Sequence, residues 1–214
     1  MAGLYTIGCS TLSFQDFTRN LLDNDVNVIA DVRSNPYSKI TPHFNREKLE
    51  HELKKNKILY VDFSKEFGAR RMEFSVYEDG QVSFEKTKNL PIFSKGIQRI
   101  EKGLAMGYTI ALMCTEKNPL DCHRFSLVSR GIFEKTGILS KHILSSGKIK
   151  TAEEVESEML RLFDFENDLF LDRNMQIKRA YELLNKKIGY RSLPQEEIAD
   201  NVEEAVAENI YMFG

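Results

Sequence analysis

Residues 109–124 read TIALMCTEKNPLDCHR, and the interpretation of the whole chain starts from this stretch. The apolar run 109–113 is typical of a buried strand, and it ends in a thiol and a carboxylate, Cys114 and Glu116. The pair Asn118-Pro119 is a helix-start signal, because Asn caps helices and Pro lacks an N–H that would be unpaired there. The stretch therefore predicts a strand followed directly by a helix.

The predicted helix covers residues 118–136 and carries Cys122, His123 and Arg124 in its first turns. The unpaired N–H groups and the dipole at a helix N-terminus favour a bound anion. A strand that brings a thiol and a carboxylate to such a terminus is typical of a functional site. The alternative is that both cysteines are buried apolar residues and that Arg124 caps a loop.

The composition indicates a soluble globular protein, since 42% of the 214 residues are hydrophobic and 29% are charged. No apolar run approaches the ~18 residues that a membrane helix needs, and residues 1–10 lack a basic segment. We therefore expect neither a membrane partner nor a secretory signal. Three cysteines without a Cys-x-x-Cys pair fit the reducing cytoplasm better than a disulfide scaffold.

The net charge of −2 conceals an asymmetry along the chain. Residues 1–150 hold 23 Lys and Arg against 17 Asp and Glu, whereas residues 151–214 hold 7 against 15. Within residues 33–71 the count is 10 basic against 5 acidic. Any attraction for phosphate is therefore expected in this segment of the first part.

Apolar runs alternate with helical patterns over the first 150 residues. The predicted strands lie at residues 4–7, 26–32, 58–63, 109–113 and 138–144. Helices between strands imply a parallel sheet with right-handed crossovers, so we predict an α/β three-layer sandwich with an open sheet of about 4–5 strands. Residues 66–93 are expected to be irregular, with a small hairpin around Asp79-Gly80.

After residue 150 the pattern becomes purely helical. Thr151 and Glu154 form the capping-box pattern of one helix. Further helices are predicted at 175–187 and at 196–208, and the last of these is acidic. We therefore predict an α/β domain at 1–150 that carries the site, and an acidic helical extension at 151–214.

The reactive side chains follow the predicted strands, and ligands bind at the carboxyl ends of open parallel sheets. They are Ser10 after the first strand, Asp31 and Arg33 after the second, and Cys114 and Glu116 after the fourth. We expect Asp31 and Arg33 to point to opposite faces, with Arg33 toward the ligand.

The loop 34–44 mixes aromatic and basic residues, a combination that suits a stacked base and a bound phosphate. The alternative is a surface loop with a buried Phe44, in which His43 is an ordinary surface histidine. Arg70-Arg71 is interpreted as a solvated basic pair.

Several motifs together resemble a bacterial family known as domain of unknown function 488. They are Thr6-Ile7-Gly8-x-Ser10, Asp31-Val32-Arg33-Ser34-x-Pro36, Pro42-His43-Phe44-Asn45, Leu112-Met113-Cys114-Thr115-Glu116, Cys122-His123-Arg124 and His142-Ile143-Leu144. The segment 187–191 resembles the C-terminal part of the longer members. The resemblance implies the α/β sheet and this choice of site residues, but it implies no reaction.

The first functional hypothesis is an enzyme of unknown reaction that acts on a phosphate-bearing substrate, a nucleotide or nucleic acid, at the carboxyl edge of the sheet. Arg33, Arg124 and the start of the 118–136 helix would form an anion pocket near Ser10. Glu116 would be the general acid–base group, assisted by His123 or His43. Cys114 would be a possible nucleophile whose pKa is lowered by Arg124 and the helix N-terminus. The full set of expected ligand-binding residues is Ser10, Asp31, Arg33, His43, Cys122 and Arg124.

Two alternatives stay open. The second hypothesis is a nucleotide- or nucleic-acid-binding module without turnover, which would use the basic residues of 33–71. The third is a zinc site formed by Cys114, Cys122, His123 and His43, but adjacent Cys and His without Cys-x-x-Cys speak against it, so no metal ligand is predicted. The chain has no Cys-x5-Arg, Gly-x4-Gly-Lys-Ser/Thr or Gly-x-Gly-x-x-Gly motif, which disfavours the common phosphatase, ATPase and NAD sites. The sequence indicates neither a cofactor nor an oligomeric state.

Overall fold

The computed structural model describes residues 2–165 and 171–191. The strands in these residues are β1 (Leu4–Gly8), β2 (Val28–Asp31), β3 (Leu59–Asp62), β4 (Tyr77–Glu78), β5 (Gln81–Val82), β6 (Ile110–Cys114), β7 (Lys141–Ile143) and β8 (Ile149–Lys150). The helices are α1 (Phe14–Leu22), α2 (Arg46–Lys55), α3 (Ser64–Phe67), α4 (Phe84–Lys88), α5 (Pro91–Ala105), α6 (Arg130–Thr136), α7 (Ala152–Leu162) and α8 (Arg173–Ile188). A π-helix covers Arg124–Ser129, and 3-10 turns cover Pro42–Phe44, Phe74–Val76 and Pro119–Asp121.

Six strands form one sheet in the order β3-β2-β6-β1-β7-β8. Every neighbouring pair is parallel except β7 and β8, which confirms the predicted mainly parallel sheet. Strands β2 and β6 are buried along their whole length, because each lies inside the sheet and is covered on both faces. The edge strand β8 was not predicted, since its two residues are too short to give a sequence pattern.

Helices cover both faces of the sheet, which confirms the predicted three layers. On one face, Ile29 and Ala111 belong to a core cluster with Phe17 of α1 and Leu53 of α2. On the other face, the alternate positions of β2 and β6 pack against α3, α5, the π-helix and α6. This second cluster contains Ala30, Leu112, Phe67, Ile97, Leu127 and Ile132.

Local signals in the sequence explain several element boundaries. The side chain of Thr151 accepts the N–H of Glu154, and the Glu154 carboxylate accepts the N–H of Thr151, so the predicted capping box is present. Asp79 and Gly80 both have positive φ, at 49° and 71°, which is the backbone of a tight hairpin turn between β4 and β5. The hairpin predicted inside residues 66–93 is therefore confirmed.

The continuous helix predicted over 118–136 is wrong. Asn118 does cap a turn by accepting the N–H of Leu120, but this 3-10 turn ends at Asp121. Cys122 then adopts extended backbone angles, with φ −138° and ψ 136°, before the π-helix and α6 continue the chain. The capping signal marks a real start, but nothing in it shows that the helix breaks one turn later.

The helices α7 and α8 pack onto the segment that follows β6. Their side chains Met159 and Leu184 share a buried cluster with Leu120 and Phe125. The predicted helix at 196–208 lies outside the described residues, and the division at residue 150 stays a prediction. Among the helices of the described ranges, none is both long and apolar enough to cross a membrane.

Candidate functional site

A cleft of about 250 Å³ opens at the carboxyl edge of β2 and β6. The end of β2 contributes Arg33, and the segment after β6 contributes Cys114, Glu116 and His123. The segment after α3 and the end of α8 supply the opposite wall. The parallel sheet thus brings together side chains that are far apart in the sequence, at the edge where ligands of such sheets bind.

Four side chains meet at the floor of this cleft, and we call them the thiol cluster: Cys114, Glu116, Cys122 and His123. The Oε2 atom of Glu116 lies 3.0 Å from the sulfur of Cys114 and 2.9 Å from the sulfur of Cys122. The sulfur of Cys114 is 3.7 Å from Nδ1 of His123. The Nε2 atom of His123 lies 3.0 Å from the carbonyl oxygen of Val32.

The break at Cys122 is what assembles the thiol cluster. In a continuous helix, successive side chains diverge by about 100°, so adjacent residues cannot face one partner. With Cys122 extended, both Cys122 and His123 reach Cys114, and the two sulfurs and an imidazole nitrogen all lie within 4.8 Å of one another. These three side chains could hold a metal ion.

The two thiols of the cluster differ in acidity. Burial, followed by the hydrogen bond with Cys122, raises the pKa of Cys114 well above its usual value. Burial also opposes ionisation of Cys122, but the hydrogen bond with Cys114 and the positive charge of Arg124 hold its pKa well below the usual value. The positive charge of Arg124 thus acts on Cys122, whereas the sequence predicted this effect at Cys114.

The other two members of the thiol cluster, Glu116 and His123, both have raised pKa values. Glu116 as a whole is exposed on the cleft wall, but its Oε2 atom lies against the two buried sulfurs. Loss of solvent around this carboxylate, together with the negative charge on Cys122, raises the pKa of Glu116. Burial lowers the pKa of His123, but its interaction with Cys122 outweighs burial and gives a raised pKa.

Arg33 and Asp31 form a buried ion pair, and the expectation that they point to opposite faces is wrong. Residues two apart on a strand lie on the same face. Nε and Nη2 of Arg33 lie 2.9 and 2.7 Å from the two oxygens of Asp31, and Nη2 also donates to the carbonyl of Phe44. Tyr60 donates a further hydrogen bond to Asp31. Arg33 also lines the cleft.

Arg124 does not line the cleft. It is fully buried, and its guanidinium donates hydrogen bonds to the carbonyl oxygens of Glu116 at 2.6 Å and Lys117 at 3.2 Å. Arg124 therefore positions the segment after β6. Gly8 allows this arrangement, because a Cβ there would lie 1.9 Å from the backbone oxygen of Glu116.

Ser10 and His43 also lie away from the cleft lining. The backbone N–H of Ser10 donates to the carbonyl of Thr115 at 2.7 Å, and Nε2 of His43 lies 3.0 Å from the carbonyl of Leu12. The predicted anion pocket of Arg33, Arg124, a helix start at residue 118 and Ser10 therefore does not form as one surface. Phe44 is fully buried, as the alternative interpretation of its loop proposed.

Arg70 and Tyr190 line the cleft, but the sequence did not predict them as site residues. Arg70 is exposed, donates its backbone N–H to Ser34, and places its guanidinium 5.2 Å from the ring centroid of Tyr190. Arg71, its neighbour, is buried and pairs with Glu73. The sequence signal for Arg70 was weak because its partner lies 120 positions later in the chain.

The fold and this geometry define an open parallel α/β protein with thiol, imidazole and carboxylate groups gathered at the carboxyl edge of its sheet. The family model described as Domain of unknown function DUF488 matches residues 13–130, more than half of the chain. The protein therefore belongs to this family, as the sequence motifs indicated. Comparison with curated proteins and with solved structures gives no match.

Proposed function

We propose that this protein is an enzyme that acts on a phosphate-bearing substrate, a nucleotide or a nucleic acid, bound in the cleft. One observation carries the proposal: the guanidinium groups of Arg33 and Arg70 line the same cleft as the thiol cluster. Guanidinium groups bind phosphate through charge-assisted hydrogen bonds in a fixed planar geometry.

The exposed cation Arg70 supports an anionic ligand in the cleft. Asp31 neutralises Arg33, and Lys187 lies 2.9 Å from Asp121. Arg70 has no acidic partner within the described part of the chain, so its positive charge is available to a ligand. Arg33 adds a second guanidinium side chain to the lining of the same cleft.

The Arg70–Tyr190 pair supports a ligand that also carries a base. An aromatic ring with a guanidinium beside it is a surface on which nucleobases stack. A nucleotide would thus place its phosphate between Arg33 and Arg70 and its base near Tyr190. The excess of basic residues in 33–71 favours the same class of ligand.

The thiol cluster is the proposed catalytic end of the cleft. Glu116 reaches the cleft with its carboxylate and is the proposed acid–base group, with Cys114 and His123 beside it. We also propose a cytoplasmic location, since all three cysteines are free thiols and a reducing compartment keeps them so.

The test is a turnover assay with nucleoside mono-, di- and triphosphates and short oligonucleotides, followed by phosphorus NMR and chromatography. We expect product formation by the wild type and a loss of roughly 100-fold or more in Glu116→Gln, because that amide keeps the shape but transfers no proton. Ligand affinity should be retained in this variant. If the wild type binds these ligands and converts none of them, the enzyme hypothesis is wrong and the protein is a non-catalytic binding module.

A further inference from the structure

Three potential ligand atoms converge at the floor of the cleft. They are the sulfurs of Cys114 and Cys122 and the Nδ1 atom of His123, all within 4.8 Å of one another. Around a tetrahedral zinc with bonds of ~2.3 Å to sulfur and ~2.0 Å to nitrogen, a sulfur and a nitrogen lie about 3.5 Å apart. The distance between Cys114 Sγ and His123 Nδ1 is 3.7 Å, which matches this spacing.

The hydrogen bonds around the cluster prepare these atoms for a cation. A carbonyl oxygen only accepts, so the 3.0 Å contact with Val32 requires a proton on Nε2 of His123 and makes Nδ1 the nitrogen that faces the sulfurs, where a metal ion would take the place of a proton. This is the arrangement in which metal-binding histidines are held by a partner on their other nitrogen. The backbone N–H of Arg124 donates to the sulfur of Cys122 at 3.5 Å, which stabilises a thiolate there.

Cys9 shows how a packing cysteine of the same protein differs. It is fully buried in the cluster on the α1 and α2 face of the sheet. Its sulfur makes no side-chain hydrogen bond with the described residues, whereas Cys114 and Cys122 each contact Glu116. The side-chain hydrogen bonds of Cys114 and Cys122 are therefore not a general consequence of burial.

We propose that Cys114, Cys122 and His123 bind one zinc ion at the floor of the cleft. Two thiolates and one imidazole suit zinc, and three protein ligands leave a fourth position, as in catalytic zinc sites. Cys114 and His123 line the cleft, so this position faces the space where a substrate would bind. The Oε2 atom of Glu116 lies 3.0 and 2.9 Å from the two sulfurs, so a protonated Glu116 would donate a hydrogen bond to a zinc-bound thiolate. The inference goes beyond the proposed function and does not depend on it.

The objection that adjacent Cys and His cannot share a metal is removed by the extended backbone of Cys122. That objection assumed a continuous helix from 118, in which the two side chains would diverge. His43 is not part of the site, because its ring contacts the carbonyl of Leu12 instead.

The test measures metal in the full chain, purified and kept under reducing conditions. We expect about one zinc per chain by elemental mass spectrometry, as three convergent ligands imply. After removal of the zinc by a chelator, titration with Co²⁺ should give thiolate-to-cobalt charge-transfer absorption that saturates at one equivalent. This measurement on the wild type does not depend on the folding of any variant.

The matched variants are Cys122→Ala and His123→Ala, with Cys9→Ala as the control. The first two should lose at least nine-tenths of the bound zinc and the cobalt absorption, whereas Cys9→Ala should keep both. A wild type that binds no Zn²⁺ or Co²⁺ would overturn the inference, as would a Cys114–Cys122 disulfide that forms equally fast with and without zinc. Retention of zinc in both Cys122→Ala and His123→Ala would also overturn it.

The outcomes separate this inference from the proposed function. Stoichiometric zinc without turnover of any phosphate-bearing substrate contradicts only the proposed function. Turnover that a chelator leaves unchanged, in a protein that binds no zinc, contradicts only the zinc site.

Discussion

Arg33 is held in the cleft by its ion pair with Asp31, and this pairing determines what Arg33 can do. Both side chains are almost fully buried, and four hydrogen bonds to Asp31 and Phe44 fix the guanidinium plane. A guanidinium fixed in this way loses little conformational entropy when it binds an anion. The charge of Arg33 is compensated by Asp31, however, so the proposed phosphate site relies on the charge of Arg70 for its net attraction.

His142 carries a pH-dependent part of the stability. Its ring is fully buried, its Nδ1 atom lies 2.9 Å from the hydroxyl of Thr6, and burial followed by the charge of Arg124 lowers its pKa to about 3. The folded protein therefore keeps His142 neutral, whereas the unfolded chain takes up a proton below its ordinary pKa of about 6.5. The stabilisation is complete above that value and is lost as the pH falls toward 3.

The prediction is that the free energy of unfolding of the wild type falls between pH 7 and pH 5 by about 2 kcal/mol because of this group. His142→Asn lacks the titrating imidazole. The decrease in its free energy of unfolding between pH 7 and pH 5 should therefore be smaller than that of the wild type by about 2 kcal/mol. Urea denaturation of both proteins at the two pH values measures the difference. Equal losses in the two proteins would show that His142 is not held neutral.

At the scale of elements, the end of β1 and the segment after β6 are in backbone contact. Cys9 and Ser10 donate their N–H groups to the carbonyls of Cys114 and Thr115. Gly8 lies so close to the carbonyl of Glu116 that a Cβ at this position would be 1.9 Å from its oxygen. This close approach keeps the segment after β6 in position, and only glycine fits at that point.

Gly8→Ala should therefore destabilise the protein, because the new Cβ meets backbone atoms that cannot rotate away. We expect a decrease of about 1–3 kcal/mol in the free energy of unfolding, the usual range for overpacking. Gly103→Ala is the control, since its Cβ meets only the end of the flexible Ile110 side chain, and alanine favours the helix. Equal changes in the two variants, measured by urea denaturation, would contradict the close contact at Gly8.

The strands could be predicted from the sequence because a buried strand needs a continuous apolar run, as in residues 109–113. The break at Cys122 could not be predicted, because it depends on contacts of Cys122 with Glu116 and Cys114 rather than on local helix propensity. For this reason the sequence indicated the residues of the thiol cluster but misjudged their arrangement. The Arg70–Tyr190 contact could not be predicted for a similar reason, because it joins two segments that are distant in the sequence and that only the fold brings together.

At the scale of the whole molecule, the helices after residue 150 are part of the structure that forms the cleft. Leu184 of α8 is fully buried against residues of α7 and the segment after β6, and Tyr190 follows directly after α8. Loss of α8 packing should therefore affect the cleft wall as well as the stability.

Leu184→Ala should lower the free energy of unfolding by about 2–4 kcal/mol, as expected for a fully buried leucine. Leu183→Ala is the matched control, because the neighbouring leucine is 37% exposed and should change stability much less. Urea denaturation should show one transition for each variant if α8 unfolds together with the sheet. A separate early transition in Leu184→Ala, with the main transition unchanged, would contradict a shared cooperative unit.

The central claim is that the cleft binds phosphate-bearing ligands through Arg70 and Arg33. Calorimetric titration with inorganic phosphate and with nucleoside triphosphates tests it directly, on the wild type, Arg70→Ala and Arg19→Ala. Arg19 is the control because it is an exposed arginine of α1, paired with Asp16 and away from the cleft. We expect binding by the wild type and by Arg19→Ala, and a Kd about tenfold or more higher in Arg70→Ala, as the loss of a charged hydrogen bond implies. Absence of binding by the wild type, or the same Kd in all three proteins, would contradict the claim.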